Sequence, residues 1–299
     1  MRTVYLGTSE FAGTVLARLA ASAHRPELVV SRPDRGRGRG RKVRPPPVAA
    51  LAGDLGIALI QPADVNAEDS RALIAAARPE ALIVCAFGAL IREPLLSDRL
   101  IYNVHPSLLP RWRGAAPIER AIEAGDQRTG VCIMQLVAEL DAGPVSARAE
   151  EPIRADDDFG SLSARLAELG GELLCEAIGS DAGFVEQGKH GLTYAGKIEP
   201  QDRRLDGMRP AVDLERRVRA LHPHIGAQLL LEGGEPLGVE QASALEVTDL
   251  EPGRLVGLEG RMLLGCAPGA LELRRIKPAG GRSMDAADYL RGAGRGLLV

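Results

Sequence analysis

A strand-like run at residues 3–6 opens the chain, and apolar positions then recur at helical spacing over about 11–21, past a turn at 7–10. A strand, a glycine turn and an amphipathic helix predict a β–α unit. The alternation continues down the chain. A short strand lies within 27–31, a helix over 48–55, a strand over 58–61 and a helix over 70–77. Residues 81–86 are apolar throughout, the profile of a parallel strand covered on both faces, and Phe87-Gly88 turns the chain after it. A further strand starts at Leu100, followed by a helix over 116–124, a strand over 130–135, an alternating edge strand over 145–153 and a long amphipathic helix over 159–178. Strands and helices in this order predict a Rossmann-like, doubly wound α/β domain over residues 1–189.

Past a linker at 190–206 the texture changes. One helix is expected over 212–221, and then short strand-like runs at 227–231, 237–239, 254–257, 262–266 and 271–276 recur between glycine turns. That rhythm predicts a second domain over 207–299, a small β-barrel of OB-like form.

Composition narrows the class. The chain has 299 residues, 45% apolar and 26% charged, which is ordinary for a globular protein of two domains. Aromatic residues are only 3%, so the core must rest on Leu, Ala, Val and Ile. A net charge of −3 means that any nucleic-acid binding has to be local. One segment could supply it. Residues 32–44 carry seven cations against one Asp, alternate Arg with Gly, and run into Pro45-Pro46-Pro47. Such a sequence cannot bury a core and predicts a mobile surface loop over 32–47. Its Arg35, Arg37, Arg39, Arg41, Lys42 and Arg44 would seek phosphates. Cys85, Cys132, Cys175 and Cys266 are scattered, without metal-ligand or disulfide spacing. His222 and His224 lack a third ligand nearby. No secretory signal is evident, and the apolar run 81–91 is too short to span a bilayer, so a reducing cytoplasm is expected. The turn from Gly7 to Gly13 lacks Gly-x-Gly-x-x-Gly, which argues against a nicotinamide dinucleotide.

The densest chemistry lies in Tyr102-Asn103-Val104-His105-Pro106-Ser107-Leu108-Leu109-Pro110-Arg111-Trp112-Arg113-Gly114. Alternate strand residues share a face, so Asn103 and His105 point the same way at the carboxyl end, where open α/β sheets bind ligands. An amide and an imidazole there could hold an oxyanion or move a proton. A buried histidine satisfied by its neighbouring Asn would give the same local pattern. Asp141, ahead of Gly143-Pro144, suits either a turn or an acid.

The longer string resembles, nearly residue for residue, the signature of the formyltransferases that use 10-formyltetrahydrofolate. The matching residues are Asn103 and His105, the turn Ser107-Leu108-Leu109-Pro110, Arg113-Gly114 and Pro117-Ile118. Met134 with Asp141 and Gly143 matches that family's setting for its third catalytic residue. The opening Gly7-Thr8-Ser9 with Phe11-Ala12 is similar to the family's first turn, with Ser9 where Pro is usual. Pro33-Asp34-Arg35, Gly38-Arg39-Gly40 and Lys42 resemble the insertion by which members acting on tRNA engage the acceptor end. Thr193-Tyr194-Ala195 with Lys197, and Lys277-Pro278 through Ser283-Met284, extend the likeness over almost the full chain. It is weakest between about 225 and 270.

The resemblance implies Asn103, His105 and Asp141 as catalytic residues. The folate would be bound by Ser107, Leu108, Leu109, Pro110, Phe87, Gly88, Leu90, Val137 and Leu140, and Phe11 would lie beside a methionyl side chain. It implies 10-formyltetrahydrofolate as formyl donor without a metal, the amino group of initiator methionyl-tRNA as acceptor, tRNA contacts from the arginine segment and the barrel, and a monomer. A formyltransferase for a nucleotide-linked amino sugar would share the three catalytic residues but have no use for the arginine segment. A non-catalytic RNA-binding relative would be expected to have lost one of the three.

Overall fold

A computed structural model describes residues 1–37, 42–180, 183–231, 233–246 and 249–292. In chain order the elements are β1 (Thr3–Gly7), α1 (Glu10–Ala20), β2 (Leu28–Val30), β3 (Arg35–Arg37), β4 (Lys42–Arg44), α2 (Pro47–Asp54), β5 (Ala58–Ile60), α3 (Glu68–Ala76), β6 (Ala81–Cys85), β7 (Leu100–His105) and β8 (Arg113–Gly114). There follow α4 (Pro117–Ala124), β9 (Arg128–Gln135), β10 (Val145–Pro152), α5 (Phe159–Gly179), β11 (Tyr194–Ala195) and α6 (Ala211–Leu221). The chain closes with β12 (Ala227–Leu230), β13 (Pro236–Leu245), β14 (Leu255–Leu258), β15 (Arg261–Gly265), β16 (Ala270–Lys277), β17 (Met284–Asp285) and α7 (Ala286–Arg291).

Contacts divide the chain into two compact units. The first comprises residues 1–114, 128–152 and 163–194; the second comprises 115–127, 153–162 and 195 onward. The first is built on a seven-stranded sheet in the order β10-β9-β7-β6-β1-β2-β5. Strands β5, β2, β1, β6 and β7 are parallel, and β9 and β10 complete the sheet antiparallel. Every residue of β1 and β6 is buried, as expected of parallel strands covered on both faces. The order of connection reverses between β1 and β6, so the crevice at their carboxyl ends is the switch point of the sheet.

Local chemistry sets the helix ends. Ser9 caps α1 by accepting a hydrogen bond from the Ala12 N–H at 3.2 Å. Pro47 sits in the first turn of α2, where its missing N–H costs nothing. Helix α5 lies close on the sheet through Gly170, whose added Cβ would come within 3.1 Å of Val104 on β7.

The arginine segment departs from expectation. Where a mobile loop is predicted, its two arms pair as an antiparallel ribbon, Arg35 opposite Arg44, Gly36 opposite Val43 and Arg37 opposite Lys42. A two-residue alternation suits an extended chain as readily as a coil, and backbone pairing then selects the ribbon. Arg35, Val43 and Arg44 are exposed. Arg39 and Arg41, with Gly38 and Gly40, lie outside the described residues.

The second unit is an antiparallel sheet, β12-β13-β16-β15-β14, with β17 also on β16. Its apolar side, including Leu229, Leu237, Met262, Leu271 and Ile276, packs with Leu214, Val218 and Leu221 of α6. The five expected short strands are all present. Strand β13 runs on to Leu245, well past residue 239, because two register shifts after Val239 let it bend and keep pairing with β16. The helix α4 belongs to this unit: Arg217 of α6 reaches Glu123 at 3.1 Å, and Arg120 reaches Asp202 at 2.7 Å. His222 and His224 each face a carboxylate, Asp158 at 2.7 Å and Glu119 at 2.9 Å.

Candidate active site

Strand β7 ends in the two polar residues that share its face. Asn103 is in register with Val84 on one side and Met134 on the other, and His105 with Cys132. Both side chains are buried. The His105 ring is held from two directions. Its Nε2 lies 2.9 Å from the carbonyl oxygen of Trp112. A carbonyl only accepts, so Nε2 carries a proton and donates it. Nδ1 then faces Asp141, 3.7 Å from Oδ2. That separation is too long for a direct hydrogen bond and short enough for an ion pair or one bridging water.

Each partner is itself fixed. Asp141 has φ at 46°, and its Oδ2 accepts the Gly114 N–H at 2.8 Å. Trp112 has φ at 62°, and its N–H donates to the Thr193 hydroxyl at 2.9 Å. The next residue, Arg113, buries its guanidinium. It donates to Gln187 Oε1 from Nε at 3.0 Å and from Nη2 at 2.9 Å, and to Glu139 at 3.3 Å. The Gln187 amide nitrogen in turn donates to the carbonyls of Asp141 at 2.8 Å and Gly143 at 2.7 Å.

Between His105 and Trp112 the turn is built from the inside. Ser107 is fully buried, and its hydroxyl donates to the Arg111 carbonyl at 2.6 Å. Leu109 is buried in a cluster with Cys132, Met134 and Val145, while Leu108 and Pro110 stay partly exposed. Leu108 packs over Gly130, where an added Cβ would fall 2.6 Å from its Cδ2.

The other expected contact residues are more dispersed. Phe87 is buried in the core beside Val84 and Leu95, and its carbonyl accepts from the Thr8 hydroxyl at 2.7 Å. Gly88 follows with φ at 75°. Leu90 and Leu140 are mostly exposed, and Val137 and Phe11 are half-buried. A cavity of about 260 Å³ opens at the switch point, lined by Thr8, Ser9, Arg32, Pro33, Arg35, Pro46, Ala86, Phe87 and Gly88. It gathers Phe87, Gly88 and Arg35 from the sequence expectations, and none of Asn103, His105 and Asp141 lines it.

Thr8, Arg32 and Thr193 fall within stretches the sequence singles out but carry no site role there, and Gln187 falls in none. The switch-point rule could have singled out Thr8, which follows β1 directly. Gln187 carries no local signal. The neighbouring thiols are inert: burial pushes Cys85 up to about 12 and raises Cys132, so neither offers a thiolate near neutral pH. Among the described residues no group of three or more His, Cys, Asp or Glu could hold a metal ion. None of the described helices is long and apolar enough to cross a membrane.

A doubly wound sheet with this buried Asn–His strand end, joined to a small antiparallel domain, defines a class. The formyl transferase family matches residues 1–178 and its C-terminal domain matches 197–294; the chain belongs to that family. Over nearly its whole length it is similar to methionyl-tRNA formyltransferases. The one from Methylococcus capsulatus is 41% identical over 297 residues, covering 97% of this chain and 96% of the relative. The one from Halorhodospira halophila is 42% identical over 299 residues, covering 97% and 96%. Among solved structures, HypX from Aquifex aeolicus in complex with tetrahydrofolic acid superposes with a TM-score of 0.68 at 19% identity. All of this chain is covered, and it spans about half the length of HypX (48%). An N-formyltransferase from Helicobacter canadensis, in complex with folinic acid and dTDP-3-aminofucose, gives 0.66 at 12% identity, covering 91% of this chain and 98% of that one. At such identities the likeness is one of fold.

Proposed function

We propose that this chain transfers the formyl group of 10-formyltetrahydrofolate to the amino group of initiator methionyl-tRNA, for translation initiation. One observation carries the reading: a buried imidazole is clamped between the Trp112 carbonyl and the Asp141 carboxylate, in a chain similar from end to end to methionyl-tRNA formyltransferases. The dense cations of residues 32–44 favour this acceptor over an amino sugar.

The geometry supports the following chemistry. The neutral amine attacks the formyl carbon, a C–N bond forms, and negative charge gathers on the formyl oxygen. The Asn103 amide N–H and a protonated Nδ1 of His105 hold that oxygen. Asp141 takes the amine proton, directly or through water, and as the bond to the folate nitrogen breaks that same proton is passed to the leaving nitrogen. Because Nε2 is committed to Trp112, Nδ1 is the ring nitrogen left to exchange a proton. The donor is held by Ser107, Leu108, Leu109 and Pro110 with Phe87, Gly88, Leu90, Val137 and Leu140. The partly or largely exposed apolar side chains of Leu90, Val137 and Leu140 and the open backbone at Gly88 suit a flat heteroaromatic ring. Phe11, half-buried at the start of α1, faces the methionyl side chain. Arg35, Arg37, Arg39, Arg41, Lys42 and Arg44 grip the acceptor stem, and the C-terminal domain, 207–299, offers a second tRNA surface. The enzyme works as a cytoplasmic monomer.

The test is formyl transfer from 10-formyltetrahydrofolate to charged initiator tRNA. Wild type is expected to transfer, and His105→Ala to lose about 10²–10⁴-fold in kcat, the range for a positioned acid–base group. Transfer to a nucleotide-linked amino sugar but not to the tRNA would overturn the assignment.

A further inference from the structure

We infer that Gln187 is a positioning residue for formyl transfer, fixing together the two loops that supply both partners of the His105 ring. The inference rests on the roles proposed above for His105 and Asp141. Gln187 lies in the irregular segment after α5, outside every motif of the chain. Both ends of its amide are in use. Oε1 accepts two hydrogen bonds from Arg113, and Nε2 donates to the main-chain carbonyls of Asp141 and Gly143. Arg113 joins Trp112, whose carbonyl orients His105, to Gly114, whose N–H holds the Asp141 carboxylate. Asp141 itself sits at positive φ, a backbone state that persists only when its surroundings over-determine it. One side chain therefore sets both the 107–114 loop and the 136–144 loop.

The chemistry of an amide makes this testable. Only a group with an acceptor and two donors in one plane can serve both loops. In Gln187→Glu the carboxylate keeps its contacts to Arg113, now charge-assisted. Its other oxygen is set against two carbonyl oxygens and must push the Asp141 backbone away. If Gln187 were only an anchor for Arg113, the glutamate would serve as well as the glutamine.

The experiment measures kcat and both KM values for formyl transfer to charged initiator tRNA by the full chain. It compares wild type, Gln187→Glu and Gln187→Ala, each also in an Asp141→Asn background and with single-turnover rates where activity is low. Asn tolerates positive φ and can still accept from Gly114, so that background keeps the loop. Gln187→Glu is expected to lower kcat about 10–100-fold, as a small misplacement of a reacting group does, with KM values within about twofold and an unchanged melting temperature. In the Asp141→Asn background the same substitution should cost less than about threefold, because residues acting as a unit are not additive. Gln187→Ala, which places no charge in the site, should show the same coupling and carries the test if the glutamate variant does not fold. A Gln187→Glu enzyme with wild-type kcat, or an equal loss in both backgrounds, overturns the inference. An inactive wild type, or Asp141→Asn as fast as wild type, overturns the functional reading beneath it and the inference with it.

Discussion

Ala86, Trp112 and Asp141 adopt positive φ at 41°, 62° and 46°, all in the loops that form the strand-end site. Such conformations cost about 1–3 kcal/mol each, so other contacts must hold them. For Asp141 part of the hold is steric. At Gly143 an added Cβ would lie 1.9 Å from the Gln135 carbonyl oxygen, closer than any side chain permits. Gly143→Ala must therefore move the turn that aims the carboxylate. We expect it to lower kcat at least about tenfold and to cost about 1–3 kcal/mol of stability, read by formyl-transfer kinetics and thermal melting. Wild-type kcat in that variant would mean that this turn does not set the carboxylate. Asn103 and His105 were legible in the sequence because a strand has a period of two, and one face near its carboxyl end is where ligands bind. Asp141 was legible through its turn and the family likeness. Gln187 was not, and Thr193 was legible only as part of the Thr193-Tyr194-Ala195 likeness, without its contact to Trp112. Their partners at Gly143, Asp141 and Trp112 are main-chain groups 44, 46 and 81 residues away, and no local pattern records such pairs.

At the scale of elements, strands β1 and β6 and the helices around them follow from runs and periods that only one kind of element can satisfy. The ribbon β3–β4 and the length of β13 do not, because backbone pairing and bulges decide them. Packing between elements is also invisible until the fold is known. Helix α5 approaches β7 at Gly170, next to Val104 between the two polar site residues. An alanine there would need Val104 to give by a few tenths of an ångström. Gly170→Leu would overfill the contact, at a cost of about 1–3 kcal/mol, and press on the strand that carries Asn103 and His105. The expected result is a lower melting temperature together with a reduced kcat. A fall in melting temperature with kcat intact would show that β7 is insulated from the helix beneath it.

The whole molecule carries −3, yet residues 32–44 hold seven cations and one Asp, which leaves −9 on the rest of the chain. A polyanion such as tRNA is thus repelled by most of the surface and drawn to one segment. If the ribbon is that segment, binding is local and salt-sensitive. Each phosphate neutralised contributes close to one unit of slope, about 0.7–0.9, to log affinity against log salt. Arg35 and Arg44 face each other across the ribbon, both exposed, with like charges that destabilise it in the absence of an anion. Replacing both with Ala should therefore leave the melting temperature unchanged or slightly raised. Affinity for charged initiator tRNA should fall, and the salt slope should drop by about 1–2. The loss would appear in KM for tRNA, with kcat at saturating tRNA close to wild type, because neither arginine contacts the His105 ring. A slope equal to wild type would remove the ribbon from the binding surface and move the electrostatic contact to the C-terminal domain. A fall in kcat at saturation would instead give the ribbon a part in aligning the amine.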